Sequence, residues 1–89
     1  MLKLEIQMLK FDGFHKALMG VAEVWVPNGG GAALVEKAIY DGYRMVWVLL
    51  RRDGMSEEDA REYISFNVEG AYLGQETPII YWPYVEKEL

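Results

Sequence analysis

Residues 51–80, RRDGMSEEDAREYISFNVEGAYLGQETPII, contain the signals that most constrain the fold of this chain. Ser56 followed by Asp59 resembles a capping box, and acidic residues occupy the first turn after it, where a helix N-terminus favours negative charge. Gly70 is predicted to be a left-handed C-cap. Residues 77–82 are predicted to form an edge strand, because prolines stand near both of its ends. The inner face of the helix is predicted from helical spacing to be Ala60, Tyr63, Ile64, Asn67 and Val68.

The N-terminal half shows strand and turn patterns. Apolar and polar residues alternate over residues 2–9, which predicts a half-buried strand. Asp12 is predicted to cap a short helical segment that runs to Ala17 or Leu18 and ends at Gly20. Residues 21–26 and 33–40 are predicted to pair as a hairpin around the glycine-rich turn at 27–31.

A helix is predicted after Asp41, which would cap it, and Gly54 would end it. Its apolar face is predicted to contain Tyr43, Val46, Trp47 and Leu50. Residues 45–50, MVWVLL, also fit a buried strand, since periodicity does not separate the two structures in so short a run. The fold class predicted for residues 1–89 is a single α+β domain, with a small antiparallel sheet of about four strands packed on two helices.

Composition narrows the class of protein. The chain has no cysteine, which excludes a disulfide scaffold and a thiolate zinc site and favours a reducing compartment. The N-terminal residues lack a continuous apolar core of the signal-peptide type, and no apolar run approaches the length of a membrane span. We therefore expect a soluble cytoplasmic protein that does not bind membranes. Its 52% hydrophobic content makes a protein or homo-oligomer interface plausible.

The net charge of −5 is unevenly distributed along the chain. Residues 1–54 carry seven Lys/Arg against six Asp/Glu, whereas residues 55–89 carry two against eight. Such an acidic region repels nucleic-acid phosphate and attracts a basic groove on another protein. We therefore expect a protein partner and no direct nucleic-acid binding. A solvated face that only keeps molecules apart is the alternative.

No constellation for catalysis or metal binding stands out. His15 is the only histidine, and the chain has two serines, of which Ser56 is already assigned to a helix cap. We expect no catalytic residue, no metal site and no cofactor. An enzyme that uses His15 with Asp12 or Glu69 as general acid and base is kept as a minor alternative. Packing is favoured over base stacking for the three tryptophans, because only Arg44, Arg51 and Arg52 cluster in the sequence.

Asn67 is the polar residue that packing explains least well. On the inner face of a helix its amide needs hydrogen-bond partners, since an unsatisfied buried group costs about 1 to 3 kcal/mol. Either the amide joins Phe66 to Gly74 by hydrogen bonds to the neighbouring backbone, or it contacts a ligand near Tyr72.

The pattern over residues 11–80 resembles a family of small, mostly uncharacterised proteins encoded by bacteriophages. Its most distinctive part is DGMSEEDAREYISFNVEGAYLG followed by TPI, residues 53–74 and 77–79. The resemblance implies a phage origin and therefore the host cytoplasm as the place of action.

These observations together predict a non-enzymatic phage accessory protein that binds a host or phage macromolecule, with antagonism of a host defence as one form of that role. The acidic helix would engage a basic groove, and exposed aromatic residues would anchor the contact. The predicted binding residues are Glu57, Glu58, Glu62, Glu69, Trp25 and Tyr72. The alternative is an oligomeric small-ligand-binding protein or sponge, with a pocket lined by Asp12, His15, Asn67 and Tyr72.

Overall fold

The computed structural model describes residues 8–83. Two eleven-residue strands in the N-terminal half of this range form a hairpin. Strand β1 (Leu18–Asn28) pairs antiparallel with β2 (Gly31–Asp41), which confirms the predicted hairpin. The turn is tighter than predicted: Gly29 and Gly30 alone form it, and Gly29 has a φ of 63° that a glycine adopts without strain. Gly20 lies inside β1 beside a register irregularity and does not end a helix.

A short 3₁₀ turn (His15–Ala17) precedes β1. It corresponds to the predicted helical segment, but its N-cap residue is Phe14 and no side chain caps it, so the capping role predicted for Asp12 is wrong. Of the strand predicted at residues 2–9, Met8 and Leu9 are irregular, and the remainder lies outside the described residues.

Helix α1 (Gly42–Asp53) follows β2 directly and is capped as predicted. Asp41 Oδ1 accepts hydrogen bonds from the backbone N–H groups of Tyr43 (2.9 Å) and Arg44 (3.2 Å), and Gly54 ends the helix with a φ of 69°. The predicted apolar face is right for Val46, which is buried, and for Leu50, which packs against the core, but wrong for Tyr43 and Trp47, which are about half exposed. The buried face consists of Gly42, Met45, Val46, Val48 and Leu49. This helix is apolar around much of its circumference, so its packing against the rest of the core selects the face that is buried.

Helix α2 (Glu57–Ile64) begins at the predicted cap, where Ser56 Oγ accepts a hydrogen bond from the Asp59 N–H at 3.1 Å. The chain then widens into a π-helical turn (Ser65–Glu69). Gly70 has a φ of −78°, so the predicted left-handed C-cap is wrong. The π-helical turn and the hydrogen bond from the Ala71 N–H to the Val68 carbonyl end the helix instead.

Strand β3 (Ile79–Tyr81) pairs with β2 in parallel, with Ile79 opposite Ile39 and Ile80 opposite Tyr40. A parallel neighbour needs a long crossover connection, and the two helices provide it. The described chain is therefore α+β with a three-stranded sheet in the order β1-β2-β3 and two helices, which confirms the predicted class and is broadly compatible with about four strands. The sheet is mixed, so the expectation of a purely antiparallel sheet is corrected. The edge position predicted for the last strand is confirmed.

The core lies between the base of the hairpin and the two helices. Ala60, Ile64 and Val68 form the inner face of α2 and its π extension as predicted, whereas Tyr63 and Asn67 are exposed. None of the helices in residues 8–83 has the length and apolar character that crossing a bilayer requires. The core residues are Phe14, Ala17, Ala38, Tyr40, Met45, Val46, Val48, Leu49, Ala60, Ile64 and Val68.

Candidate binding surfaces

The surface is rich in large apolar side chains. Eleven of them are exposed among the described residues, which is many for so small a domain. Exposed aromatic residues of this kind are enriched where proteins contact partners. They are Met19, Val21, Trp25, Leu34, Tyr43, Trp47, Tyr63, Phe66, Tyr72, Leu73 and Tyr81.

One group of these residues lies on the outer half of the hairpin. Trp25 pairs with Leu34 and Glu23 pairs with Glu36, so the four side chains share one face of the two strands. Ala38 and Tyr40 lie on the same face nearer the helices, where they are buried in the core. Trp25 is 69% exposed and Leu34 is 47% exposed. We call Val21, Glu23, Trp25, Leu34 and Glu36 the hairpin face.

Two carboxylates stand directly opposite each other at the centre of the hairpin face. Glu23 and Glu36 are in register across β1 and β2, and like charges in that position destabilise a strand pair. Within residues 8–83 the only ion pair joins Arg52 to Asp53, so no basic side chain of the described chain neutralises either glutamate. A cationic group from a partner would relieve this repulsion.

The predicted acidic helix is present and solvated. Glu57, Glu58 and Glu62 are exposed on α2. Glu69 differs from them, because its Oε2 accepts a hydrogen bond from the Trp82 indole N–H at 3.0 Å. Glu69 therefore helps to hold the end of β3 against the helices, in addition to its acidic charge.

The predicted small-ligand pocket is only partly assembled. Asp12 and Asn67 do line one shallow groove of about 250 Å³, together with Phe11 and Tyr63. His15 lines a different cleft, and Tyr72 is 75% exposed and does not line the groove. Asn67 is exposed, so the expected burial of its amide is wrong. In the described chain its side chain makes no hydrogen bond, and the Gly74 carbonyl accepts instead from Thr77.

Two clefts that sequence reasoning did not identify flank Trp47. One, of about 450 Å³, is lined by Gly13, His15, Lys16, Trp47, Val48, Arg51 and Arg52. The other, of about 410 Å³, is lined by Lys16, Tyr43, Arg44 and Trp47. Arg44, Trp47 and Arg51 are three and four residues apart and so share one face of α1, a spacing that the predicted helix already contained. We call Lys16, Arg44, Trp47 and Arg51 the basic face.

Arg52 borders the first cleft but has a structural role. Its guanidinium donates to the Gly13 carbonyl at 2.8 Å and to both carboxylate oxygens of Asp53. The hydrogen bond from Arg52 holds the pKa of Asp53 below its usual value, and the same bond raises the pKa of Arg52. Arg52 thus ties the turn before β1 to the end of α1.

The structure places His15, Asp12 and Glu69 in three different surroundings. His15 is not hydrogen-bonded to Asp12 or Glu69, which lie in the Asn67 groove and against Trp82 respectively. Among residues 8–83, no three His, Asp or Glu side chains are grouped as a metal site would need.

Comparisons with known proteins bring no relative. No protein-family model, curated protein or solved structure matches this chain. The resemblance to small phage proteins stays a prediction.

Proposed function

We propose that this protein is a non-enzymatic phage accessory protein that acts in the host cytoplasm by binding a basic protein surface through its hairpin face. The observation that carries the proposal is the position of Trp25, 69% exposed beside an in-register pair of glutamates. Interference with a host defence protein is one role that such binding would serve.

An arginine of the partner fits the hairpin face best. Its planar guanidinium pairs with carboxylates through two parallel hydrogen bonds and stacks on an aromatic ring. Glu23, Glu36 and Trp25 present both kinds of group on adjacent positions of two strands. Leu34 and Val21 add apolar surface around them, and aromatic residues with apolar neighbours form the energetic centres of many interfaces.

The acidic face of α2 supports the same partner at longer range. Glu57, Glu58 and Glu62 are exposed and carry no ion pair within residues 8–83. Charges at the rim of an interface act mainly on the association rate and are screened by salt. We therefore assign attraction of the partner to α2 and its final contact to the hairpin face.

The test is recovery of proteins from a bacterial host lysate on the immobilised wild-type chain and on matched variants. Trp25→Ala should abolish recovery of the specific partner, whereas Phe66→Ala, which removes an equally exposed aromatic ring (72%), should not. Equal recovery with Trp25→Ala would refute the assignment of the hairpin face.

Once a partner is purified, two charge variants separate the two acidic surfaces. Glu23→Gln with Glu36→Gln should weaken binding by raising the dissociation rate, although removing the like-charge pair should stabilise the fold by about 0.2 to 1 kcal/mol. Glu57→Gln, Glu58→Gln and Glu62→Gln together should slow association and reduce its salt dependence. Identical association rates and salt slopes for this triple variant would show that the charge of α2 only solubilises the protein.

A further inference from the structure

The basic face of α1 is unexpected in a protein of net charge −5. Arg44 and Arg51 project from one side of the helix on either side of Trp47, and Lys16 of the 3₁₀ turn lines both clefts beside that indole. Among residues 8–83, no Asp or Glu lines either cleft. The positive charges of this face are therefore concentrated locally, and Asp53, the acidic residue of α1, is paired with Arg52.

Trp47 is held among these cations with half of its surface exposed. The Arg51 guanidinium lies over the indole, 5.0 Å from the ring centroid, and this cation–π contact helps to position the ring. An indole of this kind offers a stacking surface to another planar ring. The neighbouring cations then favour a ligand in which a planar ring is joined to a negatively charged group.

A nucleotide combines these two properties. Bases of every type stack on aromatic side chains, and guanidinium and ammonium groups bind phosphate. Arg44 and Arg51 are seven residues apart, about 10 Å along the helix axis, with Trp47 between them. Phosphates on either side of a stacked nucleotide would each meet a cation. The clefts of about 450 and 410 Å³ are also within the size range of small-molecule sites, roughly 300 to 1,000 Å³.

We propose that the basic face binds nucleotides, free or within a single strand, with the base stacked on Trp47 and the phosphates held by Lys16, Arg44 and Arg51. This site is separate from the hairpin face and goes beyond the proposed function. It also departs from the sequence-based expectation of no nucleic-acid binding, which rested on the acidity of residues 55–89. A duplex does not fit, because its bases are already stacked on one another and leave no ring for Trp47.

The experiment uses the full-length chain with two probes, a fluorescently labelled thymidine dodecamer and ADP. Binding of the dodecamer is followed by anisotropy, and binding of ADP by calorimetry. Trp47→Ala should weaken binding by about tenfold or more, because stacking of a base on an aromatic side chain is lost. Arg44→Gln with Arg51→Gln should weaken it similarly and flatten the salt dependence. Three phosphate contacts predict a slope of log K against log salt of roughly −2 for a single strand, and loss of two contacts should leave roughly −0.7.

Matched control variants test whether the effects are specific to the basic face. Phe66→Ala and Lys37→Gln remove an exposed aromatic ring and a positive charge elsewhere, and both should bind like wild type. Trp47→Phe should restore much of the affinity that Trp47→Ala loses, and circular dichroism should show that each variant is folded. Binding of the dodecamer but not of ADP would identify a single strand as the ligand. If the same substitutions weaken the binding of both probes to the same extent, the nucleotide unit itself is the ligand.

Three results would overturn the proposal: no binding of either probe, binding that Trp47→Ala leaves unchanged, or equal binding of a duplex. A glutamate-rich peptide that binds the basic face as strongly as the dodecamer would also overturn it and indicate an acidic protein partner instead.

Discussion

The indole of Trp82 packs directly against Gly42, so that a Cβ added to Gly42 would lie 2.5 Å from the ring. The same indole stands edge-on to Tyr43, beneath the guanidinium of Arg61, and donates its N–H to Glu69. This packing joins the end of β3 to both helices. It explains why position 42 is a glycine. The explanation does not involve backbone conformation, since Gly42 is not among the glycines with positive φ.

Gly42→Ala should therefore destabilise the protein by about 1 to 3 kcal/mol, because the added methyl group displaces the Trp82 ring. Helix propensity alone predicts the opposite, a gain of up to about 1 kcal/mol from replacing glycine in a helix. Denaturant unfolding of the single variant decides between the two signs. In a Trp82→Ala background the substitution should be neutral or stabilising. A stabilised single variant would show that Trp82 does not pack on Gly42 in solution.

Ser56→Ala should lower the free energy of unfolding by about 0.5 to 2 kcal/mol, because the Asp59 N–H loses its hydrogen bond to the serine hydroxyl. Ser65→Ala is the control, since Ser65 is exposed and follows the last residue of α2. Ser56→Asp should retain most of the stability, because aspartate also caps helices. An unfolding midpoint unaffected by Ser56→Ala would contradict the cap.

Because of Tyr40, the free energy of unfolding should depend on pH in the alkaline range. Burial of this side chain, which is 1% exposed, raises the pKa of its hydroxyl, and the hydrogen bond from the Phe11 N–H lowers the pKa by a smaller amount. The folded protein therefore holds the proton to higher pH than the unfolded chain does. This contribution is complete below pH 10.0, the ordinary pKa of the group, and is lost as the pH rises through the folded value.

The measurement is the free energy of unfolding at neutral pH and above pH 10 for wild type and Tyr40→Phe. At neutral pH the variant should be less stable by about 0.5 to 1.5 kcal/mol, because the Phe11 N–H loses its acceptor. Above pH 10 the difference should shrink as the tyrosine ionises in the unfolded chain. Tyr72→Phe, which removes an exposed hydroxyl, should not change this pH dependence. A constant difference over the whole range would rule out Tyr40 as its source.

Local signals in the sequence correctly predicted both ends of α1 and the beginning of α2. These signals act within three to five residues along the chain. The side-chain oxygens of Asp41 and Ser56 accept hydrogen bonds from nearby N–H groups, and Gly54 ends α1 with a left-handed backbone turn. The hairpin was also predictable, because its strands are adjacent and the glycines between them allow a tight turn. Such interactions depend on neighbours along the chain, so the sequence contains all the information that they need.

Contacts between distant segments decided the rest. The parallel pairing of β3 with β2 and the side of α1 that is buried each depend on residues far apart in sequence. The same is true of the basic face, where the 3₁₀ turn brings Lys16 to Arg44, Trp47 and Arg51. A helix that is apolar on several sides, such as α1, fits more than one packing, and only the docking of the sheet and the second helix selects one. The sequence by itself therefore determined where the helices and the hairpin form, whereas the tertiary packing decided which aromatic and charged side chains remain on the surface to bind a partner.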